Sequence, residues 1–301
     1  MARVLGAVGE GLFEIGLDEG DAGPLRRGYG GDVANVCVMA TRAGLPARLC
    51  SRVGDDALGR ALLAFWRAAG VDVEHVEVDD GGPTGIYVNE RTRSGTHRFD
   101  YHRRGSAGSR LAPDDVTPGF LEGIAALHTS GISLAVAAHA VAAAVERARA
   151  AGALVSFAVN HRPALGGDPD AVLAAARAAD VVFVSTEEAE LLLGTADLDE
   201  ISTALGSGPQ EVVVTAGAQG ARVAAGAAAV AVRAPAVDAV DAAGAGDALA
   251  GAYLAGRLGG LDPGAALRRG VAAAALSCRA FGCALSYPAA TEVEQLAAEL
   301  A

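Results

Sequence analysis

Short apolar runs alternate with Ala-rich helical stretches along most of this 301-residue chain, and no other feature limits the fold as much. Strands are expected over residues 4–8, 47–53, 72–78, 125–128, 154–159, 181–184, 211–215 and 221–224. Helices are expected between them, over 33–43, 57–69, 137–151, 170–178 and 187–193. Such alternation implies an α/β fold with a mostly parallel, buried sheet and helices on both faces. From residue 244 onward the pattern becomes helical throughout, with helices expected over 245–258, 263–281 and 291–300. One region interrupts the alternation. Residues 84–90 and 96–103 are two extended runs joined by a polar turn at 91–95, a hairpin with one wet face. Its Arg, Tyr and His content suits a lid over a site; a plain surface hairpin is the alternative.

Composition removes several classes of function. With 24 Lys+Arg against 36 Asp+Glu, the net charge is −12, which argues against generic binding to nucleic acid or anionic membrane. There is no Lys, so every basic side chain is an Arg. The Ala and Arg richness fits a bias of genome composition. Cys37, Cys50, Cys278 and Cys283 form no C-x-x-C pair and are expected to be buried, reduced thiols. No signal-like segment opens the chain and no run of about 18 apolar residues occurs, so a soluble cytoplasmic protein is expected.

The chemistry concentrates in Asp241-Ala-Ala-Gly-Ala-Gly-Asp247, which runs into an apolar helix. A helix's first turn offers unpaired N–H groups and the positive end of the dipole. Gly244 and Gly246 let an anion approach those groups. A carboxylate in the same turn would repel a phosphate. Asp247 makes sense there as a base that takes the proton of an attacking hydroxyl. The P-loop is excluded because it needs Lys, and the dinucleotide fingerprint because Leu249 stands where its last Gly is required. A second glycine pair, Gly30-Gly31, precedes Asp32 and Asn35. That stretch either approaches a polyhydroxyl ligand or forms a tight turn with Asp32 as N-cap. Val53-Gly54-Asp55-Asp56 reads as a strand-to-helix turn with a capping Asp.

Taken in order, these stretches resemble the ribokinase-like, or PfkB, family of carbohydrate kinases over essentially the whole chain. The resemblance implies a single domain, residues 1–301, built as a three-layer sandwich with a small β lid from about 11–29 and 84–103. It makes Asp247 the catalytic base and the N–H groups of Ala245, Gly246 and Asp247, beside Gly244, the anion hole. Gly30, Gly31 and Asn35 would meet the sugar. ATP would lie along 185–190 and 215–220, with Ser185, Glu188, Thr215, Gly217 and Gly220 at the nucleotide. Mg²⁺ would bridge its phosphates, touched indirectly by Glu188, and a K⁺ site beside Asp241 is a further possibility.

Within that family, Tyr87, residues 101–109 and Val159-Asn160-His161-Arg162 are similar to the 2-keto-3-deoxygluconate kinases. The similarity implies that Tyr87, Tyr101, Arg103 and Arg162 hold a sugar acid, with His161 also at the substrate pocket. A guanidinium can grip a carboxylate through two parallel hydrogen bonds, which a neutral sugar does not require. The expected reaction is ATP-dependent phosphorylation of a primary hydroxyl, O6 of 2-keto-3-deoxygluconate. The alternatives are a neutral-sugar kinase of fructokinase or ribokinase type, a nucleoside kinase, and a non-catalytic sugar-binding regulator. Three positions depart from the family pattern: Ala242 for Thr, Ala158 for Asp and Ser185 for Asn. Exposed lid strands need covering, so a homodimer through the lid is expected.

Overall fold

The computed structural model describes residues 3–20, 24–92 and 97–300. Residues 93–95 of the expected hairpin turn, residue 96 of its second strand and residues 21–23 of the expected lid lie outside that set. In chain order the first half comprises β1 (Val4–Val8), β2 (Leu12–Asp18), β3 (Arg26–Gly30), α1 (Asp32–Arg42), β4 (Ala47–Gly54), α2 (Ala57–Ala68) and β5 (Asp72–Asp79). Then come β6 (Ile86–Arg91), β7 (His97–His102), α3 (Pro118–Leu121), β8 (Ile124–Ser130) and α4 (Gly131–Ala150). The chain continues with β9 (Leu154–Ala158), α5 (Pro169–Ala178), β10 (Val181–Ser185), α6 (Thr186–Leu193) and α7 (Leu198–Leu205). It closes with β11 (Glu211–Thr215), β12 (Ala221–Ala225), β13 (Ala228–Val232), α8 (Ala245–Leu258), α9 (Pro263–Ser277) and α10 (Ala290–Glu299).

Nine strands form one sheet in the order β13-β12-β11-β10-β9-β8-β1-β4-β5, parallel except for β12 and β13. Both faces are covered. Val181 and Phe183 of β10 join the cluster under α1, α8 and α9, while Val182 and Val184 join the one under α5 and α7. That is why strands such as β10 read as continuous apolar runs. The long apolar α4 is a core helix of this sandwich: Ala137, Ala140, Val141, Ala144 and Ala148 form its buried side, packed toward β8 and β9.

Several boundaries moved for identifiable reasons. α4 starts at Gly131 because Ser130 caps it, its side chain accepting from Ser133 N; the expected start near 137 coincides with a kink at Ala137 (φ −140°). α9 stops at Ser277 because the next carbonyl, that of Cys278, accepts from Val240 N and Asp241 N. Three elements were not expected at all: the short α3, capped by Thr117; α7, capped by Asp197; and β13, an Ala-rich run without a strand-like composition. Asp56 caps α2 as expected, accepting from Gly59 N at 2.8 Å.

The second sheet has the order β3-β2-β6-β7, with β2 parallel to β6 and the other pairs antiparallel. On β2 the buried positions are Leu12, Glu14 and Gly16, with Phe13, Ile15 and Leu17 half-buried between them. A charge and a glycine therefore occupy the face that an apolar pattern would be expected to mark. Gly16 is there because of the ring of Phe281: a Cβ at 16 would fall 1.9 Å from Phe281 Cζ. Arg26 lays its guanidinium 4.5 Å above the same ring. The small sheet is thus docked onto the segment that follows α9.

In an open parallel sheet, ligands bind past the carboxyl ends of strands where the strand order reverses. Here the order reverses between β1 and β8. Glu10 follows β1, Asn160 and Arg162 follow β9, Ser185 ends β10 and Thr215 ends β11, so all converge on one crevice beneath the small sheet.

Candidate active site

α8 supplies the turn expected to bind an anion. Its N-cap, Gly244, sits in the left-handed region (φ 77°), and a Cβ there would press to 2.9 Å on Cys283 and on the Tyr287 hydroxyl. That hydroxyl donates to the Gly244 carbonyl at 2.8 Å and fixes the turn. Of the three N–H groups expected to bind an anion, that of Ala245 is already used: it donates to the Ala242 carbonyl at 3.2 Å. Those of Gly246 and Asp247 meet no acceptor among the described residues. A Cβ on Gly246 would point into open space, so this is where a phosphate can approach the backbone.

Two carboxylates face each other across the crevice, each held by an asparagine. Asn35 Nδ2 donates to Asp247 Oδ2 at 2.8 Å. Asn160 Nδ2 donates to Asp32 Oδ2 at 2.9 Å, and Asn160 adopts a left-handed backbone (φ 36°) to reach it. Asp32 is not the N-cap of α1. It is the first helical residue, behind Gly31 (φ 101°), and its Oδ1 accepts from Val33 N. Gly31 is required because a Cβ would lie 2.3 Å from the Glu10 carbonyl. Asp247 is half-buried, opening only to the crevice. Burial first, and the charge of Asp32 second, push it up to about 8, against the opposing effects of Asn35 and Arg162.

One cavity, of about 320 Å³, lies between this turn and the lid, with Gly31, Asn35, Tyr87, Tyr101, Arg103 and Arg162 in its wall. Strand alternation places His97, Phe99 and Tyr101 of β7 on one face, and all three line it. Tyr87 is buried, its hydroxyl 3.3 Å from Cys283 Sγ. Gly30, expected to meet the sugar, does not line the cavity. It leaves room for Tyr87, whose hydroxyl would be 2.5 Å from a Cβ at 30. Arg103 is 7% exposed and forms an ion pair with Glu10, a residue that sequence reasoning missed. Ser106 Oγ donates to Glu10 Oε1 at 2.6 Å, and burial raises the Glu10 carboxyl despite Arg103. The nitrogens of Arg103 form no hydrogen bond beyond that ion pair, leaving buried donors that a ligand oxygen can satisfy.

A second cavity, of about 480 Å³, lies on the other side of Asp247, lined by Ser185, Glu188, Thr215, Gly217 and the apolar Phe183, Val184, Leu191 and Ala250. Asn160, Arg162, Gly246 and Asp247 line both cavities. Gly220 is absent from this wall. It turns the chain between β11 and β12 at φ 100°, where a Cβ would be 2.0 Å from the Val232 carbonyl. His161, expected at the substrate pocket, lines the second cavity instead. Ser185 caps α6, and Glu188 completes the capping box. Both Glu188 oxygens are engaged: Oε2 by Ser185 N, and Oε1 by His161 N and Arg162 at 3.3 Å.

Mg²⁺ was expected here, and K⁺ was a further possibility. Asp32 and Glu188 against Arg162 leave a surplus of negative charge at the junction of the cavities, and Asp247 adds to it when ionised. This suits Mg²⁺ arriving on nucleotide phosphates; Glu188, expected to reach it indirectly, has both carboxylate oxygens engaged by N–H donors. For the K⁺ held possible beside Asp241, the side chain of Asp241 offers no free oxygen. Asp241 is 3% exposed; its Oδ1 accepts from Ala243 N at 2.9 Å and faces His97 Nε2 at 3.3 Å, and its Oδ2 accepts from Gly282 N at 3.1 Å. Its oxygens are served by N–H donors, an arrangement made for an anion partnered by protein.

Comparison with known proteins places the chain that carries this turn, carboxylate and pair of cavities. Residues 16–290 match the model of the pfkB family carbohydrate kinases, and the chain belongs to that family. It is 39% identical to 2-dehydro-3-deoxygluconokinase of Thermoproteus tenax, over 96% of this chain and 93% of that one. It is 30% identical to probable fructokinase-4 of Arabidopsis thaliana, covering 79% and 76% of the two chains. Among solved structures, a putative ribokinase II of E. coli in complex with ATP and Mg²⁺ superposes with a TM-score of 0.89 at 27% identity, covering 99% and 100%. The chain is an ATP-dependent carbohydrate kinase.

Proposed function

We propose that this kinase phosphorylates a primary hydroxyl of a sugar acid, O6 of 2-keto-3-deoxygluconate, with MgATP as donor. The observation that carries the proposal is Asp247 standing between two cavities, with Arg103 and Arg162 on the lid side and free N–H groups beside it. The likeness to the Thermoproteus tenax enzyme supports the same substrate. In this reading the sugar lies under Tyr87, Phe99 and Tyr101, and its carboxylate meets the unfilled donors of Arg103 and the guanidinium of Arg162. Asp247 accepts the hydroxyl proton as that oxygen attacks the terminal phosphorus. The N–H groups of Gly246 and Asp247 take up charge on the transferred group, and Arg162, shared by both cavities, adds to it. Mg²⁺, when bound, neutralises charge on the phosphates. Because the protein has little covalent work to do, holding the two oxygens in line accounts for most of the rate.

A second reading, a neutral ketose, draws on the Glu10–Arg103 pair, which offsets one of the two guanidinium charges in the wall of the first cavity. The test is a coupled ADP-release screen over sugar acids, ketoses and nucleosides, repeated with Arg103→Ala. Strong preference for the acid, lost at least tenfold in kcat/KM with Arg103→Ala, is the expected result. Equal turnover of neutral hexoses, untouched by the substitution, rules out the sugar-acid assignment. The proposal includes a homodimer through the lid, supported by β3 and β7 being the edges of its sheet. A monomer by light scattering at assay concentration removes that part.

A further inference from the structure

A chain of polar contacts runs from the lid into the loop ahead of the anion-binding turn, and the phosphoryl-transfer scheme makes no use of it. It begins at Glu14 of β2, fully buried, which burial pushes up to about 7. Asn89 Nδ2 of β6 donates to Glu14 Oε1 at 2.8 Å. Asn89 Oδ1 lies 2.8 Å from His97 Nδ1, and His97 Nε2 lies 3.3 Å from Asp241 Oδ1. The side chains of His97 and Asp241 are 12% and 1% exposed, so water does not replace these contacts.

Donor and acceptor roles along the chain are constrained. With the amide as written, Asn89 Oδ1 needs a proton on His97 Nδ1, and Asp241 needs one on Nε2. With the amide reversed, Glu14 carries the proton, His97 Nδ1 accepts from Asn89, and Nε2 still carries its hydrogen. Both arrangements hold the same number of protons and share one feature, an imidazole N–H directed at Asp241. Asp241 in turn accepts from Ala243 N and Gly282 N, and Ala242 O accepts from Ala245 N, the first residue of α8. Holding Asp241 therefore holds the loop that sets the N-terminus of α8.

We propose that His97 is a positioning residue for phosphoryl transfer, tying the lid to the Asp241 loop and standing where a monovalent cation would otherwise be needed. The proposal rests on phosphoryl transfer, not on which sugar accepts. Two tests use the full-length protein and no sugar. In long-range ¹H–¹⁵N spectra, Nε2 of His97 should carry a hydrogen, and its resonance should move in Asp241→Asn. Thallium(I), the probe for a monovalent-cation site, should not bind by ²⁰⁵Tl resonance.

The kinetic test uses tetramethylammonium as the only other monovalent cation. Adding K⁺ should change wild-type turnover by less than about twofold. His97→Ala should lower kcat roughly tenfold or more, with affinity for a non-hydrolysable ATP analogue and melting temperature retained, and should become stimulated by K⁺. His97→Gln, which keeps an N–H toward Asp241, should recover much of the loss. A bare Nε2, stoichiometric thallium binding, a K⁺ requirement in the wild type, or unchanged turnover in His97→Ala would each overturn the proposal. So would a loss in His97→Ala that merely tracks its melting temperature.

Discussion

The pH dependence of turnover tests the role of Asp247 most sharply, because the surroundings of that carboxyl predict an unusual value. Burial, and then the charge of Asp32, raise it from 3.8 to about 8 in the ligand-free protein. A base raised that far loses its charge across the neutral range, its ionised fraction falling toward tenfold per pH unit below its own value. With both substrates held well below KM, the apparent rate constant reports the free enzyme and should fall steeply from pH 9 to pH 6, approaching tenfold per pH unit below the raised value. A carboxylate near 3.9 would be ionised throughout, giving a flat profile over the same range. Asp32→Asn should shift the limb to lower pH by removing the second cause, and Asn35→Ala should shift it to higher pH by removing a hydrogen bond to the ionised form. Asp247→Asn should cost about 10²–10⁴ in kcat while nucleotide still binds.

The same shift has a sign in stability. A carboxyl whose folded value is raised stabilises the fold below its unfolded value and loses that contribution as pH climbs through the folded one. Asp247→Asn should therefore melt above wild type at pH 9, with the gap narrowing toward pH 6. A flat wild-type rate profile, or a limb driven upward by Asp32→Asn, refutes the base assignment and its physical cause together.

Two further outcomes concern the scaffold. Gly30→Ala brings a methyl within 2.5 Å of the Tyr87 hydroxyl, so it should raise the KM for the sugar and destabilise the fold by about 1–3 kcal/mol, read by kinetics and denaturant melts. Asp56→Ala removes the cap of α2 and the hydrogen bonds from Thr84 N and Oγ1. It should cost about 1–2 kcal/mol in urea titrations with kcat intact at 25 °C.

Most of the large sheet was legible because its strands are buried on both faces and so stand out as apolar runs between helices. What escaped had physical reasons. β2 hides behind Glu14 and Gly16, residues chosen for the network toward Asp241 and for the Phe281 ring rather than for apolar burial. α9 was drawn too long because a carbonyl contact with residues 240 and 241 ends it, and distant contacts leave no mark in local composition. At the site, the residues around Asp247 were readable from the glycine pattern. Glu10 could have been singled out as a charge at the end of a buried strand, flanked by Gly9 and Gly11. His97 and Phe99 could have been found by extending the alternation from Tyr101 back along β7. Gly30 and Gly220 were misread because a glycine demanded by packing or by a turn looks, in sequence, like one cleared for a ligand.

Among the described residues, only Asn160, Arg162, Gly246 and Asp247 belong to both cavities. Every other described lining residue answers to one side alone, and apart from Leu12 of β2 the described lid residues in the first wall fall within the 17 residues from Tyr87 to Arg103. Acceptor preference and donor preference are therefore separately adjustable. A lineage of such proteins can exchange the chemistry written on one hairpin and acquire a new acceptor, leaving the transfer step and its partner half intact.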